Sequence, residues 1–80
     1  MRVEVRVMPK AGVLDPQGKA IGQALTRLGY SGVSDVRAGK VFRIEVAATE
    51  AAAAKEAASR MAETLLSNPV IEDYEVEVKG

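Results

Sequence analysis

The run Arg2-Val3-Glu4-Val5-Arg6-Val7-Met8 alternates without a break. Valines occupy every second position, and arginine, glutamate or methionine stand between them. Period two with β-branched residues describes a strand buried on one face only. Pro9 closes the run, because proline cannot donate to a ladder. A strand of this kind needs neighbours at its sides and a second layer over its valines. The rest of a short chain must supply both.

The stretch Gly12-Val13-Leu14-Asp15-Pro16-Gln17-Gly18 turns the backbone and starts a helix. Asp15 is a strong N-cap residue type, and Pro16 falls at the first helical position, where its missing N–H costs nothing. Val13 and Leu14 are expected to tuck under the start of the helix, as a hydrophobic staple does. Ala20, Ile21, Ala24, Leu25 and Leu28 recur at helical spacing and form an apolar stripe expected to pack against a sheet. Gly29 suits the left-handed position after the helix.

Val33 to Ala38 reads as a second strand, Gly39-Lys40 as a turn and Val41 to Ala48 as a third strand, together a hairpin. Phe42, Ile44 and Val46 share a face of the third strand. Thr49 is expected to cap a second helix, Ala51 to Leu66, with Glu50 favourable in its first turn. Ala54, Ala57, Ala58, Met61 and Leu65 lie on one stripe of that helix. The alanine run reads as helix propensity, with a close-packed helix interface between subunits as the alternative. Pro69 stops the helix region, and Val70 to Val78 reads as the last strand.

The order is strand–helix–strand–strand–helix–strand. It predicts one α+β domain over residues 1–80: a two-layer sandwich, an antiparallel sheet with two helices on one face, of the ferredoxin-like split βαβ kind. Right-handed crossovers place the first and third strands in the middle. The outer faces of the strands carry Arg2, Glu4, Arg6, Arg43, Glu45, Glu75 and Glu77. These side chains pair across strands on a solvated face, or they form a polar subunit contact.

Composition narrows the function. Eleven lysines and arginines balance eleven aspartates and glutamates, so the basic excess of a nucleic-acid binder is missing. Histidine and cysteine are absent, which removes the commonest base, the thiol nucleophile and a zinc site of the usual ligands. The glycines at 12, 18, 29, 32 and 39 form neither a dinucleotide fingerprint nor a P-loop. No apolar run reaches membrane-spanning length and no leader pattern opens the chain, so a cytoplasmic location is the expectation. A domain of 80 residues buries only about 60% of its unfolded surface, which favours oligomerisation as added stability.

Several segments carry a family resemblance. Gly12-Val13-Leu14-Asp15-Pro16-Gln17-Gly18, Leu28-Gly29-Tyr30, Gly32-Val33, Val36-Arg37 with Gly39-Lys40, and Asn68-Pro69-Val70-Ile71-Glu72-Asp73-Tyr74 resemble the small PurS subunit of phosphoribosylformylglycinamidine synthase. The alanine-rich second helix departs from the family, where it is usually more acidic. The resemblance implies a non-catalytic subunit in de novo purine synthesis. In the family a large subunit performs the ATP-dependent amidation and a glutaminase subunit releases ammonia. The small subunit, a homo-dimer or tetramer, joins the two and assists ammonia transfer. No cofactor, metal, membrane or nucleic acid is implied for this chain; ATP and glutamine are used by the partner subunits. Candidate subunit-contact residues are Asp15, Gln17, Arg37, Lys40, Asn68 and Tyr74, which lie in the matching segments. The alternatives from other classes are a stand-alone regulatory module of ferredoxin-like fold binding a small molecule, and a minor enzyme using carboxylates.

Overall fold

The computed structural model describes residues 1–80. Strand β1, Arg2–Pro9, is central in a three-stranded antiparallel sheet; β2, Lys40–Glu45, lies on one side and β3, Glu72–Val78, on the other. The register sets Val3 opposite Ile44 and Val78, and Val5 opposite Phe42 and Val76. All these side chains therefore share one face. The valines of β1 are buried completely, as their alternation required.

Helix α2, Ala51–Met61, forms the second layer. It presents Ala54 and Ala58, and the following π turn, Ala62–Leu66, adds Ala62. These three alanines and Val3, Val5 and Val7 are the fully enclosed core. Ala54, Ala58 and Ala62 thus serve close approach inside one subunit. The π turn also moves the stripe. One extra residue in the turn shifts the helical phase, so Ala62 and Leu66 face the core while Met61 and Leu65 turn outward, Leu65 being 82% exposed. The Ser67 N–H and hydroxyl both donate to the Ala62 carbonyl at 2.9 Å, closing that wide turn. The helix starts at Glu50 without a side-chain cap, so the expected role of Thr49 is not realised.

The α+β class and the antiparallel sheet stand as expected, with one departure. Val33 to Ala38 is extended but does not pair, and the hairpin at Gly39-Lys40 does not close. Gly39 keeps a negative φ, whereas a tight hairpin turn needs positive φ at its centre. The chain therefore runs on from the extended segment into β2. That places the expected third strand at a sheet edge, beside central β1.

Helix α1, Pro16–Arg27, consequently rests on the extended segment and stands out from the sheet. The molecule measures 49 × 25 × 15 Å. Of the stripe expected to face a sheet, Ala24 and Leu25 are half-buried while Ile21 and Leu28 are exposed, Leu28 by 73%. Leu14 is exposed as well, so only Val13 tucks in at the start of the helix. Asp15 and Pro16 do occupy the N-cap and first positions, and Gly29 follows the helix at φ 96°.

Candidate subunit-contact surface

The six candidate residues fall into two regions and a link between them. Asp15, Gln17 and Arg37 belong to the projecting arm, made of α1 and the extended segment. One Asp15 carboxylate oxygen accepts the Gly18 N–H at 3.0 Å, and the other accepts the Ala38 N–H at 2.8 Å. A single side chain thus caps the helix and pins the extended segment to it. The Arg37 guanidinium donates to the Val13 carbonyl at 2.6 Å, a second tie between the same two pieces. Gln17 is exposed in the first turn. Beside these residues runs a groove of about 540 Å³ bordered by Lys19, Gln23, Thr26 and Ser34.

Electrostatics follow from these contacts. The Gly18 and Ala38 amides, in that order, hold the Asp15 carboxyl below the usual carboxylate range; Arg37 helps, and desolvation opposes. A depressed folded-state value means that the stabilisation is complete above the unfolded value of about 3.9 and is lost as pH falls through the lower folded one. In an acid titration followed by NMR, the Gly18 and Ala38 amides should shift together below pH about 4. In Asp15→Asn both amides should lose that titration, since the amide side chain carries no proton to gain.

Asn68 and Tyr74 lie at the opposite end. The Asn68 side chain accepts the Val70 N–H at 3.1 Å, and its backbone carbonyl accepts those of Ile71 and Glu72 at 3.0 and 2.7 Å. This is a self-bonded turn delivering the chain to β3, a local role for Asn68. The Tyr74 hydroxyl donates to Glu63 at 2.8 Å, and that carboxylate raises the phenol's pKa. Nothing in the spacing of Glu63 and Tyr74 announces this pair; the π turn brings Glu63 over. Lys10 pairs with Asp73 at 2.9 Å on the same end. Lys40, at the start of β2, and Tyr74 both border a shallow hollow of about 450 Å³ with Arg6, Met8 and Val41.

The outer sheet face carries cross-strand ion pairs. Arg6 reaches Glu77 at 3.0 Å and Glu75 at 3.4 Å, and Lys79 reaches Glu77 at 3.0 Å. Glu77 is held below its usual range first by Lys79 and then by Arg6. These pairs are largely exposed, so they organise the face more than they stabilise it.

Gly18 is the arm residue whose importance its position in the sequence concealed. A β-carbon there would collide with the Val36 carbonyl oxygen and lie 2.6 Å from the Asp15 carboxylate. Only glycine lets the helix start lie against the extended segment this closely.

Comparison with known proteins places this architecture. The family model described as PurS, phosphoribosylformylglycinamidine (FGAM) synthase, matches residues 2–80. The chain belongs to the PurS family. It is 48% identical over 75 residues to the PurS subunit of Mycobacterium leprae, covering 94% of this chain and 91% of that protein. Among solved structures, Bacillus subtilis PurS matches with a TM-score of 0.85 at 40% identity, over 99% of this chain and 98% of that one. A chain of the PurLQS structure from Thermotoga maritima matches with a TM-score of 0.85 at 34% identity, over 95% of this chain and 93% of that one. As a PurS-family chain it is a subunit of FGAM synthase. No helix in it is long and apolar enough to cross a membrane.

Proposed function

We propose that this chain is the small subunit that joins the glutaminase and ATP-dependent synthetase subunits of FGAM synthase, and assists the passage of ammonia between them. The observation that carries this reading is the match along nearly the whole chain to one component of PurLQS. An arm projecting from a small sheet, with exposed apolar residues at Leu14, Ile21 and Leu28, supports a role in contact rather than in bond-making. On this reading ATP and glutamine are bound by the partner subunits, this chain holds no cofactor, and the complex works in the cytoplasm. The chain acts as a homo-dimer or tetramer, and the exposed apolar stripe of α1 supports that assembly.

The test is reconstitution with the large and glutaminase subunits. Leaving out this chain should abolish glutamine-dependent amidation of formylglycinamide ribonucleotide, while amidation from added ammonium is retained. Equal glutamine-dependent rates with and without it would refute the reading.

A further inference from the structure

We propose that the free edge of β3 receives an extended segment of another subunit of the synthase, one that alternates apolar and basic residues. This inference rests on the joining role proposed above and assigns that role a surface.

β3 has a strand on one side only, β1. Its outward groups follow from the bonds at the two ends of that pair. The Lys79 N–H donates to the Arg2 carbonyl, and the Lys10 N–H to the Ile71 carbonyl, both at 2.8 Å. Odd-numbered residues of β3 therefore bond to β1. By antiparallel alternation Tyr74, Val76 and Val78 direct their N–H and C=O groups away from the sheet. The edge is seven residues long and holds no proline. Its register with β1 runs without a bulge from Pro9 opposite Glu72 to Val3 opposite Val78. A long, regular edge of this kind is a template for strand addition.

The two faces at this edge define the partner. Tyr74, Val76 and Val78 are half-buried and pack against the core on the apolar face. An added strand extends that face with apolar residues opposite them. On the outer face stand Asp73, Glu75 and Glu77. One arginine serves two of these carboxylates: Arg6 lies 3.0 Å from Glu77 and only 3.4 Å from Glu75. Glu75 is 76% exposed and has no other cation. The least answered charge along the edge is therefore negative, and a lysine or arginine opposite Glu75 answers it.

The same carboxylates disfavour a second copy as the occupant. Antiparallel pairing of two β3 edges requires even-numbered residues to meet even-numbered ones. Centred on Tyr74, it sets Asp73 against Glu75 twice; centred on Val76, it sets Glu75 against Glu77 twice. Centred on Glu75, that residue faces itself and Asp73 faces Glu77. Centring on Glu77 sets Glu77 against itself and draws Lys79, its own partner at 3.0 Å, toward Glu75. Like charges directly opposite one another are destabilising, so the edge resists its own kind and admits a basic strand.

The test is residue-resolved hydrogen exchange on the full chain, free and assembled with the large and glutaminase subunits. The Tyr74, Val76 and Val78 amides should exchange at least about tenfold more slowly in the complex, whereas those of Glu75 and Glu77, already bonded to β1, change little. Glu75→Lys should weaken assembly by about tenfold while the variant alone melts like the parent, and Glu75→Gln should fall between. A complex that assembles with the three outward amides still exchanging as in the free chain overturns the edge contact and leaves the joining role standing. Protection that appears in the chain alone and grows with its concentration means pairing between copies, and overturns it too. Failure of the other subunits to assemble with this chain overturns the joining role itself, and the edge contact with it.

Discussion

Gly18→Ala is expected to loosen the arm, although alanine is the better helix former. In an exposed helix the change would gain about 1 kcal/mol. Here the added methyl meets the Val36 carbonyl oxygen and sits 2.9 Å from the Val36 carbonyl carbon, both backbone atoms that no rotamer change can move. To admit it, α1 must separate from the extended segment. That stretches both Asp15 hydrogen bonds and the tie from Arg37 to Val13. Overpacking against rigid neighbours costs about 2–3 kcal/mol, and a helix of this length holds poorly by itself. Amide exchange along α1 should therefore speed up roughly 30- to 160-fold, while β1 amides change little. Gly22→Ala is the internal comparison. Its methyl would meet only the Val36 side chain, at an ordinary 3.5 Å, so the helix gain of about 1 kcal/mol should survive. In the reconstituted synthase, Gly18→Ala should reduce glutamine-dependent turnover and Gly22→Ala should leave it intact. Equal exchange in the two variants would show that the close approach at Gly18 does not hold the arm.

Ala58→Leu should produce the largest loss of global stability. Ala58 is fully enclosed between α2 and the β1 valines, and its side chain sets how near the helix lies to the sheet. A leucine forces the layers apart or distorts the backbone, at a cost of about 2 kcal/mol. For a domain of this size that lowers Tm by about 8–16 °C. Ala53→Leu, on the exposed side of the same helix, should stay within about 0.5 kcal/mol of the parent. Thermal melts followed by circular dichroism decide between them. Matching melts would mean that the alanine stripe does not determine the layer spacing.

The contrast between legible and hidden features follows the range of the forces involved. Asp15, Pro16 and Gly29 act within one turn of chain, and their positions could be read directly. The β1 valines announced their burial through alternation alone, and the strand pairing of Arg6 with the glutamates of β3 followed from their shared face. Gly39 is different. Its sequence suits a tight turn or a straight passage equally, and the choice depends on β1: the chain passes so near Met8 and the Val7 carbonyl that a β-carbon would collide with both. The shift of the α2 stripe from Met61 and Leu65 to Ala62 and Leu66 came from one wide turn, which composition does not mark. Among the candidate contact residues, Asp15 and Arg37 come together only because the extended segment folds back along α1. Asn68 is occupied in building its own turn. Gln17 and Lys40 are exposed, and Tyr74, half-buried, bonds to Glu63 within the chain.

The placement of β1 also governs how the polypeptide must be assembled. Its first residues pair with Glu72–Val78, almost the whole length of the chain away. The sheet cannot close on a nascent chain until nearly every codon has been read, and the closure entropy of that long loop has to be met at once. Until then the valine-rich stretch can have a strand on one side only, β2. Loss of the last ten residues would remove β3 and leave the middle strand without one of its two flanks.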